Sequence, residues 1–192
     1  MQLAGQELVS TDVLNILGVK IAKTMKWDIH ISDITRRASG RLFLLSSLKR
    51  FGLSRSDLIT IYIGYIRPLL EYAVPVWHPG LTVKQHDSLE RIQKRACRII
   101  LGMAYVSYQQ ALETCKIVDM KQRRDNICLN FAKSLKKSRL HSDWLTKERS
   151  DEIGLELRNS RQLSLPRIRT QRYAKSAIPY MIKLWNDDKH TC

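Results

Sequence analysis

Residues 59–114 read ITIYIGYIRPLLEYAVPVWHPGLTVKQHDSLERIQKRACRIILGMAYVSYQQALET. Leu58, Tyr62, Tyr65, Ile66, Leu69, Leu70, Ala73 and Trp77 recur at helical spacing and outline one apolar face. Pro68 falls inside that face; it lacks an N–H and crowds the preceding turn, so a kink or split is expected there. Pro75, Pro79 and Gly80 mark the exit, and Thr82 or Val83 opens another helix that closes near Gly102. On a wheel of about 100° per residue, Leu89, Ile92, Ala96, Ile99 and Ile100 share one sector of that helix. Lys84, Arg91, Lys94, Arg95 and Arg98 share another, centred roughly 130° away. Asp87 and Glu90 lie on the cationic side.

Working outward, Ile34, Ala38, Leu42, Leu45 and Leu48 predict a helix over 29–51, ended by Gly52. Ser54 or Ser56 can cap the helix that follows. A short helix is expected over Tyr108 to Cys115, and Asp119 reads as the N-cap of a helix reaching about Ser138. Leu8-Val9 and the run Ile16 to Ile21, with Thr11-Asp12 between them, read as two short strands of a hairpin. Over 139–172 the periodicity is lost among Arg139, Lys147, Arg149, Arg158, Arg161, Arg167, Arg169 and Arg172, so a basic linker is expected. Ile178, Tyr180, Met181, Leu184 and Trp185 then predict a C-terminal helix packed on the body. The fold class is mainly α: a helical bundle preceded by a short β-hairpin and followed by a basic linker and a C-terminal helix.

The 33 Lys and Arg outweigh 18 Asp and Glu, and the resulting net charge of +15 favours a polyanionic partner, nucleic acid before an anionic membrane surface. No apolar run approaches the roughly 20 residues of a membrane span. The opening residues lack the pattern of a signal peptide, so an intracellular location, nucleus or cytoplasm, is expected. Cys97, Cys115, Cys128 and Cys192 form no C-x-x-C pair and are expected as reduced thiols.

The cationic face of the 84–102 helix suits a phosphate backbone, each Lys or Arg releasing a counterion. The alternative is a solvated face with ordinary intrahelical pairs. Arg91, Lys94, Arg95 and Arg98 are the first candidates for nucleic-acid contact, with Arg123, Arg124 and Lys133 second. Ile127, Phe131 and Leu135 mark the buried side of the helix carrying the second set. Arg123 and Arg124 sit near a helix N-terminus, where the dipole disfavours cations, so each should meet a carboxylate or a phosphate. Tyr62, Tyr65, Tyr72 and Trp77 could stack on bases, but at helical spacing they read as core. His78 and His86 have no ligand set around them, and Asp187-Asp188 reads as a frayed helix end. No nucleophile–base constellation and no Gly-rich phosphate loop is present.

Several strings carry a resemblance. Leu17-Gly18-Val19-Lys20-Ile21 with Trp27, His30 and Ile31 is one, and Tyr62, Tyr65-Ile66-Arg67-Pro68, Glu71-Tyr72-Ala73 and Trp77-His78-Pro79 form another. Leu89 to Gly102, and Arg172-Tyr173 with Ser176-Ala177-Ile178-Pro179-Tyr180, complete the series. In this order they resemble the region after the palm in reverse transcriptases of non-LTR (LINE-type) retrotransposons. The resemblance implies a palm remnant over 1–28, a primer-grip-like hairpin. It further implies a helical thumb-like domain over 29–115 and a downstream helical extension over 116–192. Ala22 stands where that family has an acidic residue. The fingers and the palm with its aspartates are not among these residues, so no polymerase activity is expected of this chain. No cofactor is expected either; the resemblance implies Mg2+ only for an intact enzyme. The partner it implies is RNA or an RNA–DNA hybrid. The rival is a repurposed helical scaffold that binds proteins and no nucleic acid.

Overall fold

The computed structural model describes residues 2–3, 6–7, 11–138, 140–148 and 162–188, with side chains from residue 11 onward. It is mainly helical. Strands β1 (Gln2–Leu3) and β2 (Gln6–Glu7) pair antiparallel, as do β3 (Val13–Ile16) and β4 (Val19–Ala22). The chain therefore reverses at Leu17-Gly18, inside the run expected as a single strand, and not at Thr11-Asp12. Leu17 at φ 48° and Gly18 at φ 84° give the two-residue turn whose twist matches a hairpin. The strand expected around Leu8-Val9 lies outside the described residues. Val19 and Ala22 of β4 are buried where that strand meets α1 (Asp28–Arg50).

α1 buries Ile31, Ile34, Ala38, Leu42 and Leu45, and the chain leaves it through Gly52 at φ 87°. Ser54 caps α2 (Arg55–Ile61) by accepting from the Asp57 N–H. A π-helical turn (Tyr62–Ile66) then leads into α3 (Arg67–Glu71). The wide turn lies just before Pro68, whose missing N–H and bulky ring cannot continue an α-helical ladder. Ala73 at φ 52° breaks the chain again before α4 (Val74–Trp77) and a 3-10 turn (His78–Gly80).

This crossover lets α5 (Val83–Leu101) run parallel to α1. Gln85 Nε2 donates to Asp28 Oδ1 at 2.8 Å at the start of both helices. Arg95 Nη1 lies 3.4 Å from Ser39 Oγ at mid-length. Lys49 Nζ donates to the Ile99 carbonyl, and to that of Ile100 at 3.2 Å, at the C-terminal ends. A cation on terminal carbonyls satisfies groups the helix leaves open and complements its dipole. Thr82 and Gln85 form a capping box at the other end of α5.

α6 (Tyr108–Cys115) and α7 (Met120–Lys137) begin at Ser107 and Asp119, each accepting from a backbone N–H of the first turn. α7 packs against α4, α5 and the last helix, α9 (Ala177–Asp187), which follows the short α8 (Gln171–Ala174). One apolar cluster runs from Ile31 through Trp77, Leu89 and Leu135 to Met181 and Ile182, so residues on both sides of position 115 share a core. Leu145 and Leu163, inside the stretch read as a linker, are buried in that cluster. Backbone pairing of Glu148 with Leu163 brings the two arms of the stretch together, and Asn186 brackets Leu163 with both amide atoms. Arg149, Arg158 and Arg161 lie outside the described residues. Among the described residues no helix is long and apolar enough to cross a membrane.

Leu163→Ala should destabilise the fold by about 2–5 kcal/mol, the cost of truncating a fully buried leucine. Urea denaturation checks this; a change within about 0.5 kcal/mol would mean that the segment does not pack.

Candidate nucleic-acid interface

The faces of α5 separate as the wheel indicates. Leu89, Ile92, Ala96 and Ile100 are buried, while Lys84, Arg91, Arg95 and Arg98 are exposed. Among the described residues none of these four cations, nor Lys94, enters an ion pair. Arg91 bonds within its own helix, to the Asp87 carbonyl and Ser88 Oγ, both at 3.3 Å. Lys94 sits 5.0 Å from the ring centroid of Tyr108, and Arg98 sits 5.3 Å from that of Tyr105. Both tyrosines are half-buried supports for cations.

Glu90 leaves the cationic side. Its carboxylate accepts the Met120 N–H at 3.1 and 3.2 Å, capping α7, and also accepts the Tyr108 hydroxyl. The surface is thus more purely basic than the sequence wheel indicates. It is also wider. Ser39 touches Arg95, and one turn further along α1 Phe43 is 72% exposed, with Arg50 beyond it. Ser39, Phe43 and Arg50 were missed; their spacing of four and seven was the available signal. Arg36 and Arg37 contribute less, because both pair with Asp33, at 3.0 and 3.8 Å.

The second candidate set does not form a free cationic surface. Arg123 meets Glu71 bidentately at 3.0 and 3.3 Å, and Glu71 also holds Arg67 at 3.1 Å. Its anion is the carboxylate. Lys133 Nζ lies 2.6 Å from Asp188 Oδ2, which ties the end of α9 to α7. Arg124 is completely buried. It is displaced from the candidate set because it falls on the stripe Met120, Arg124, Cys128, Ala132 and Leu135, the buried side of α7. Phe131, expected on that side, is 39% exposed.

Arg124 organises a polar network inside the core. Its Nε donates to His78 Nδ1 at 3.1 Å and its Nη2 contacts His86 Nδ1 at 3.2 Å. His78 Nε2 then faces Asp125 Oδ1 at 2.7 Å, and the Tyr180 hydroxyl donates to the same oxygen at 2.6 Å. Because Nδ1 of His78 accepts, Nε2 carries the proton and donates. Trp77-His78-Pro79 and Ile178-Pro179-Tyr180, a hundred residues apart in sequence, thus converge on Asp125. Burial, followed by the Arg124 guanidinium, holds His86 neutral down to about 4, and burial also lowers His78. Burial alone would raise Asp125, but hydrogen bonds from His78 and Tyr180 outweigh it and its pKa falls.

Among the described residues no three His, Cys, Asp or Glu side chains gather to hold a metal ion, and the Arg124 guanidinium occupies Nδ1 of both His78 and His86. Asp188, half of the adjacent aspartate pair, is neutralised by Lys133. The residues present therefore do not fit the Mg2+ that the resemblance implies for an intact enzyme. Burial pushes the Cys97 and Cys128 thiols up to about 12, far from nucleophile range.

Two outcomes follow for the network. Tyr180→Phe should cost about 1–2 kcal/mol and Arg124→Ala about 3–5 kcal/mol in urea denaturation, because each strands buried polar partners. Stability should be full above pH 6.5 and fall as the pH drops toward about 4, since over that window the unfolded chain binds a proton that folded His86 refuses. Thermal melts across that range check this, and His86→Gln should flatten the profile; an unchanged slope would contradict it.

No family model and no solved structure matches the chain. Among curated proteins it is 28% identical over 104 residues to a 115 kDa protein in the type-1 retrotransposable element R1DM of Drosophila melanogaster. The match takes in 53% of this chain and 10% of that protein, so the similarity is to a retrotransposon protein about ten times longer than the matched stretch.

Proposed function

We propose that this chain is the thumb and downstream region of a LINE-type reverse transcriptase, and that the α1–α5 face grips the backbone of RNA or an RNA–DNA hybrid. The observation that carries this reading is the row Lys84, Arg91, Arg95 and Arg98, exposed and, among the described residues, without ion pairs, on one helix that a second parallel helix extends. Unpaired surface cations at that spacing are costly to cluster without a polyanion to neutralise them, and phosphates at regular intervals do so. The similarity to a retrotransposon protein and the ordered strings of the sequence support the same reading.

Binding of this kind is sequence-tolerant. Guanidinium and ammonium groups address phosphates, and a two-helix ridge follows the shape of a duplex without reading base edges. Phe43 adds an exposed ring beside the cations, suited to contact with sugar or an unpaired base. Binding, and not polymerisation, is what we propose for this chain.

In binding assays with an RNA–DNA hybrid, log Kobs should fall steeply with log salt. Arg91→Gln, Arg95→Gln and Arg98→Gln together should reduce that slope by about 3, while Lys133→Gln leaves it unchanged. An unaltered slope in the triple variant would leave the face merely solvated. Absence of hybrid binding with capture of a defined protein on the exposed Phe43 and Phe51 would favour the scaffold reading.

A further inference from the structure

Residues from three separated stretches, Met25 to Asp28, Val76 with Gly80, and Gln171 to Ala177, line one open cavity of about 530 Å³. Lys26, Arg172 and Lys175 line it. All three are exposed, and among the described residues no side chain of the three enters an ion pair or hydrogen bond. Among the described residues the only carboxylate in the wall is Asp28, and its Oδ1 is already engaged by Gln85 Nε2 at 2.8 Å. The positive charge of the cavity therefore exceeds the negative by two.

Trp27 lines the cavity with its indole against Gly80, where an added Cβ would lie 2.7 Å from Trp27 Nε1. Gly80 thus holds the ring in place by having no side chain. Ser176 and Ala177, also in the wall, open α9 without a side-chain cap, because Ser176 Oγ donates instead to the Tyr173 carbonyl at 2.8 Å. Pro179 has no N–H and the Tyr180 N–H bonds to the Ser176 carbonyl, so among the described residues Ala177 is the wall residue whose N–H has no acceptor within the helix. Three cations against one carboxylate on the wall favour an oxyanion, and three cations around a space this size suit a phosphate group.

We infer that this cavity is a phosphate site, filled by a backbone phosphate of the strand lying along α1 and α5. The identity of the strand as the source rests on the reading proposed above; the affinity for phosphate does not. Gln85 and Asp28 place the cavity at the start of the α1–α5 seam, and Lys84 links it to the cationic row. The site would anchor one phosphate while the helical ridge meets the rest.

The test follows the four indole N–H signals of the tryptophans by NMR, with Trp27 assigned through Trp27→Phe. Inorganic phosphate should shift the Trp27 signal saturably in the millimolar range, and Arg172→Gln with Lys175→Gln should abolish the shift. No shift, or an equal shift in the double variant, overturns the site. The hybrid should then move the same signal, and the double variant should lose about 2 from the salt slope of hybrid binding. A hybrid that binds without moving Trp27, while phosphate still does, overturns the strand as occupant and leaves a site for free phosphate. Loss of hybrid binding altogether would refute the proposed function, with the inorganic phosphate titration still deciding the cavity on its own.

Discussion

The parallel seam between α1 and α5 is the constraint from which the rest of the molecule follows. Two neighbouring helices joined by a short loop run antiparallel; a parallel pair needs a crossover. The segment from Gly52 to Leu81 supplies it, and each break serves the return path: the π turn ahead of Pro68, the left-handed Ala73, and the 3-10 turn at His78. The seam is fastened at its start by Asp28 and Gln85 and at its end by Lys49 on the last carbonyls of α5. With both helices pointing the same way, their exposed sides merge into a single ridge. Cations on α5 then stand next to Ser39, Phe43 and Arg50 of α1.

A second polar assembly fixes the other side of the core. Burying a guanidinium is costly, and Arg124 tolerates it because two imidazole nitrogens accept from it and Asp125 lies one residue away. The arrangement joins α5, the His78 turn, α7 and α9 through one hydrogen-bonded chain. Such a chain is weak as a source of net stability but strict about geometry, since every broken link strands a buried group. It explains why the C-terminal helix docks in one place, and why residues after position 115 share a core with those before it.

What was legible in the sequence was local chemistry. Ser107 and Asp119 announce their helices, Gly52 ends one, and the apolar row of α5 points inward as its period requires. What was not legible depends on partners distant in the chain. Arg123 and Arg124 are adjacent residues of one type, yet about 100° of helical rotation sends the first to Glu71 and the second into the core. Of the residues read as the buried side of α7, Leu135 is buried and Ile127 packs against the core, but Phe131 is exposed; Met120, Cys128 and Ala132 complete the stripe, and Arg124 lies among them. Glu90 looked like a blemish on a basic face because its partner, the start of α7, is thirty residues away. The hairpin turn was misplaced because Leu17 adopts a positive φ that its residue type does not advertise. Leu145 and Leu163 are single leucines without periodicity, so their burial could come only from the fold.

The most direct test of the account is lysine footprinting of the chain by acetylation, with and without an RNA–DNA hybrid at low salt. Lys84 and Lys94 lie on the α5 ridge, whereas Lys121 and Lys137 lie exposed on α7. The account predicts that the hybrid shields Lys84 and Lys94 and leaves Lys121 and Lys137 reactive. Shielding of the α7 lysines alone, or of none of the four while the hybrid is bound, would contradict it.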